Sequence, residues 1–113
     1  METTIQKPEL TEYRIALNEF AAGLRQKVSR LPISQGMFVL LDESQFQMAV
    51  QHSPWFCQVT EGGLYARTVI NGEAVYLHQL IMDSKNVGFH NKITLDCRRE
   101  NLFALGRRGV MQN

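Results

Sequence analysis

A chain of 113 residues can bury one modest core, and 44% hydrophobic with 20% charged residues excludes a largely disordered protein. The net charge of +1 does not by itself point to nucleic-acid binding. The longest apolar runs, such as Met37 to Leu41, are too short to span a bilayer, so no membrane partner is expected.

The distribution of charge says more than its total. Residues 91–113 hold five basic side chains (Lys92, Arg98, Arg99, Arg107 and Arg108) against Asp96 and Glu100, while the other 90 residues hold seven basic and nine acidic ones. The C-terminal stretch could meet phosphate or an acidic protein surface; as a solvated face it needs no partner. Cys57 and Cys97 lie far apart in sequence and read as two reduced, partly buried thiols. A zinc site would need more Cys or His at close spacing. The N-terminus shows no signal-peptide pattern, so a cytoplasmic protein is expected.

In chain order, Leu10, Tyr13, Leu17, Phe20, Leu24, Val28 and Leu31 recur at steps of three and four, which predicts a helix from Glu9 to about Arg30. Its stripe would pack on the domain's own sheet, or form a homodimer seam along residues 9–30. Gly23 is a weak point in it, at a cost of about 1 kcal/mol relative to Ala. Pro32 ends the helix, Ser34-Gln35-Gly36 is a turn, and Met37 to Leu41 is a short strand. Asp42 can cap a brief helix through about Gln51, and Pro54 ends it. Three strands follow, Trp55–Thr60, Leu64–Ile70 and Glu73–Leu80, with Asn71-Gly72 as a hairpin turn. Trp55, Phe56 and Tyr65 are most simply sheet core. Beyond a loop at 83–86, Val87–His90 is a strand that Ile93–Leu95 can pair with. Arg98 to about Leu105 reads as a helix stopped by Gly106. The sum is an α+β fold: an N-terminal extension over 1–30 that carries the long helix, then a three-stranded antiparallel sheet and a ββα unit within 31–113, in one compact domain.

Residues 76–102, YLHQLIMDSKNVGFHNKITLDCRRENL, resemble the finger of the HNH homing-type endonucleases of phages and mobile elements. Upstream, LPISQGMFVLLDE, the Trp55 region and LYARTVINGEAVYLH resemble the AP2-like sheet that often precedes that finger. Four separated blocks in the right order cover about residues 31–113.

The resemblance implies a ββα-metal fold in which a histidine deprotonates water and one divalent metal stabilises the phosphate. His90 matches the general base and Asn101 the middle asparagine. The ligand positions differ. Phe89 stands where the resemblance implies a metal-binding aspartate, and Val110 where it implies an asparagine. An aromatic ring cannot ligate magnesium. His90 and Asn101 therefore read as vestiges that hold the finger loop, with no metal, cofactor or catalysis expected. Phe89 is either extra core packing or an exposed anchor on a binding surface. The expected binding residues are Arg67, Phe89, Lys92, Arg98, Arg99, Arg107 and Arg108.

The expected function is a non-catalytic binder of phage or mobile-element type. It would act in the host cytoplasm on a host nuclease or nucleoprotein complex, as an anti-CRISPR-like inhibitor. Two alternatives stand beside it: a DNA-binding protein with weak contacts, and a residual HNH nickase using His90.

Overall fold

The computed structural model describes residues 7–24 and 27–105, the first three as backbone only. It is α+β, with an N-terminal helix and a three-stranded antiparallel sheet. Helix α1 spans Lys7–Ala22. Leu10 and Leu17 are buried, and Phe20 and Leu24 pack against the core from its edge. Tyr13, 48% exposed, stands outside that contact. Gly23 is where the helix stops. Its amide donates to the Phe20 carbonyl, closing the last turn.

The predicted helix to Arg30 is corrected here. Strand β1, Val28–Pro32, pairs antiparallel with β2, Phe38–Asp42, from Val28 opposite Asp42 to Pro32 opposite Phe38. Helical spacing of Val28 and Leu31 loses to pairing with the fully buried Val39, Leu40 and Leu41, because isolated helical turns are marginal without tertiary support. The helical seam predicted along 9–30 therefore does not exist at that length. The Ser34–Gly36 turn joins the two strands as expected, with Gln35 and Gly36 both at positive φ. Arg14 fastens α1 to this turn, its guanidinium donating to the Gly36 and Gln35 carbonyls at 2.9 and 3.1 Å.

Helix α2 is Glu43–Gln51, with Asp42 at its N-cap. The expected side-chain cap is not made. The Asp42 carboxylate instead accepts the Arg99 amide at 2.9 Å, which ties the C-terminal segment to this corner. The Trp55 indole donates to the Ala49 carbonyl at 2.7 Å and holds the end of α2 against the sheet.

Strands β3 (Phe56–Thr60), β4 (Gly63–Ile70) and β5 (Glu73–Tyr76) form the predicted meander. Asn71 and Gly72 take φ of 52° and 82°, as a tight primed turn demands. Register sorts the side chains. Cys57, Leu64, Ala66 and Thr68 face the core, while Phe56, Gln58, Tyr65, Arg67, Val69, Ala74 and Tyr76 share the outer face. Phe56 is thus 41% exposed, against the expectation of core, because it stands opposite Arg67 on the outer side.

The predicted strand 73–80 ends at Tyr76. Residues Leu77–Met82 turn into helix α3, which sends Leu77 and Ile81, four apart, into the core. Strand β6, Val87–Phe89, then pairs with β7, Leu102–Ala104. Two further expectations are corrected by this pairing. Residues 93–95 do not pair with β6. They lead into a parallel bridge with β2, in which the Leu40 amide donates to Leu95 and the Cys97 amide to Leu40, at 2.8 and 2.7 Å. The helix predicted from Arg98 is one 3-10 turn, Arg99–Asn101, followed by β7. Both cysteines are free and buried, and burial raises each thiol's pKa, with Asp96 adding to the rise at Cys97. Among the described residues no helix is long and apolar enough to cross a membrane.

Candidate binding site

The segment from His90 to Asn101 is organised by a buried carboxylate. Asp96 is fully buried and receives the Arg98 guanidinium two-pronged, Nε to Oδ1 and a terminal nitrogen to Oδ2, each at 2.7 Å. Asn91 donates to Oδ2 at 2.8 Å. Asn101 completes the lock, its amide nitrogen donating to the Asp96 carbonyl and its oxygen accepting the Asn91 amide, both at 2.9 Å. The His90 amide donates to the Asn101 carbonyl at 2.8 Å. Asn101 thus joins the two ends of the 90–101 loop.

Arg98 is corrected by the same contacts. It is 6% exposed, bonded to Asp96 and paired with Glu100 at 2.8 Å, so its guanidinium is engaged within the protein. Asp96 and Arg98 are two apart on extended backbone and therefore share a side, whereas a helix would separate them. Arg99 is exposed, but its guanidinium donates to the Ile81 carbonyl at 3.1 Å and covers the end of α3. Lys92 is exposed at φ 64° and lines a separate groove with Tyr13, Leu17, Met37 and Ile93. Arg107, Arg108 and Val110 lie outside the described residues.

His90 is exposed, its ring 4.5 Å from that of Phe103. Phe89, on the other side of β6, turns inward. Its ring lies 5.0 Å from the His78 ring and 6.2 Å from the Tyr65 ring. Tyr65 in turn contacts Tyr76 at 5.9 Å and His78 at 5.4 Å. The four rings line a cleft of about 360 Å³ between the outer face of the sheet and the β6–β7 hairpin, with Thr60, Gln79 and Val87 at its margin. His78 is 7% exposed, and burial lowers its pKa to about 4, so its imidazole is neutral near pH 7. Arg67 adjoins the cleft on the same outer face, directly opposite Tyr76 and two residues from Tyr65. Its Nε is sealed from solvent without a hydrogen-bond partner.

The donor set does not fit a divalent metal. Phe89 provides no oxygen, and Asp96 is already occupied by Arg98 and Asn91. No group of three His, Cys, Asp or Glu among the described residues is placed to hold an ion. Phe89 and Arg67 stand out in the sequence, but that His78, Tyr65 and Tyr76 join them does not. The available signal was the run Tyr76-x-His78 at the end of a strand whose neighbour carries Tyr65 on the same face.

Compared with known proteins, the chain matches no family model, no curated protein and no solved structure.

Proposed function

We propose that this chain is a non-catalytic binding protein of phage or mobile-element type, built on a degenerate HNH-like finger. In this reading it binds and inhibits a host nuclease or nucleoprotein complex, as an anti-CRISPR protein does. One observation carries the loss of catalysis. The side chain at the expected ligand position, Phe89, is packed into an aromatic cluster with His78 and Tyr65, where a metal-bound water would have to sit in polar company.

The hairpin is compatible with this reading: His90 directly follows β6 and Asn101 directly precedes β7, with a hydrogen-bonded loop between them, although the expected partner strand 93–95 lies elsewhere. Duplex DNA is the weaker reading. Arg67 is the single cation on the sheet's outer face, and duplex binding ordinarily rests on several phosphate contacts.

The test is a nicking assay on supercoiled plasmid with magnesium and with manganese. No cleavage is expected from the protein, and none from His90→Ala. Robust cleavage that disappears in His90→Ala would overturn the proposal. Inhibition is checked by adding the purified chain to reconstituted RNA-guided nuclease reactions, where cleavage should fall as the chain reaches stoichiometric amounts.

A further inference from the structure

We infer that the cleft between Tyr65, Tyr76, His78 and Phe89 binds an unpaired nucleotide, its base among the rings and its phosphate at Arg67. The inference rests on the proposal of a binding protein directed at a nucleoprotein, and it names the part of that target this site would contact.

Three features point to this ligand. The first is His78. It is more than nine-tenths buried, it lines the cleft, and its ring hydrogen-bonds to no described residue. A ligand offering a donor or acceptor there can gain a hydrogen bond that an apolar one cannot. The second is the lining. The rings give flat, apolar walls, and the described lining holds no carboxylate. A quaternary ammonium ion could use the ring faces but would leave His78 unbonded. A nucleobase has both a π-face and a hydrogen-bonding edge, and a cleft of about 360 Å³ is large enough for one. The third is Arg67. It makes no ion pair among the described residues, its Nε lacks a partner, and it stands opposite Tyr76, a lining residue, on the same outer face of the sheet. One arginine is too little for a duplex but is what one phosphate needs.

The probes are the four ribonucleoside monophosphates, with the matching nucleosides, choline and N-acetyltyrosinamide as controls. Each is titrated to tens of millimolar while the side-chain NMR signals of His78, Phe89 and the two tyrosines are followed. At least one monophosphate should shift those signals selectively and saturably. Arg67→Gln should weaken monophosphate binding roughly tenfold while leaving nucleoside binding unchanged. Phe89→Ala should weaken both by about tenfold, the usual scale for removing one stacking ring. If Phe89→Ala does not fold, the Arg67→Gln contrast still decides. The inference is overturned if no monophosphate shifts the cleft signals, if the shifts lie elsewhere, or if choline or N-acetyltyrosinamide binds as well as the best nucleotide. An inactive nuclease assay alongside a silent titration would reject this site alone; plasmid cleavage would reject the parent proposal.

Discussion

Asp96 shows how much of this protein hangs on one side chain. Its carboxylate is fully buried, yet Arg98 and Asn91 fill its bonding sites, so its charge is tolerated. Removing one partner leaves an uncompensated buried charge. Arg98→Met is therefore expected to destabilise the fold by about 3–5 kcal/mol in urea unfolding. The double change Asp96→Leu with Arg98→Met should cost clearly less than the two single losses added, because it removes both charges together. A strictly additive result would show that the pair is not the organising contact. The pair was not legible in the sequence. Arg98 stood beside Arg99 in a basic end and was grouped with it, since residue type alone does not say which arginine turns inward. Asn101 was singled out only through the resemblance, which implied a link between strand and helix; the structure has it joining the ends of a loop between two strands.

Among the elements, turn chemistry was readable and partner choice was not. Asn71-Gly72 set the β4–β5 hairpin because both residues accept positive φ, and no distant contact is required. Strand β1 was misread because Val28 and Leu31 suit a helix or a strand equally, and only β2 decides between them. The same holds for α3, which sequence alternation had extended as strand. The β6–β7 hairpin adds a steric condition of its own. A Cβ at Gly88 would overlap the Phe103 ring on the neighbouring strand. Gly88→Ala is thus expected to destabilise by about 1–3 kcal/mol, the usual range for overpacking. It should also displace Phe103 from His90, which NMR shifts of the two rings would record. An unchanged melting temperature and unchanged ring shifts would mean that this hairpin is looser than its packing indicates.

At the scale of the whole molecule, the α+β class and the meander were legible, but the way three small sheets share one core was not, because that depends on contacts between residues far apart in sequence. One property of the whole is its response to acid. His78 titrates near 6.5 when unfolded and at about 4 when folded, owing to burial. Between these values the unfolded chain binds the extra proton, so the contribution of His78 to stability falls as pH drops from about 6.5 to about 4. Its full size is at most about 3 kcal/mol, and it is constant above that window. Urea midpoints measured from pH 4 to 7 should slope less for His78→Gln than for the parent; equal slopes would contradict the assignment. The bridge between Leu40 and residues 95–97 has a consequence for biosynthesis. The open side of β2 is covered by a segment made more than fifty residues later. Until that segment leaves the ribosome, the nascent chain carries an unpaired, apolar strand edge, the kind of surface that recruits chaperones or seeds aggregates.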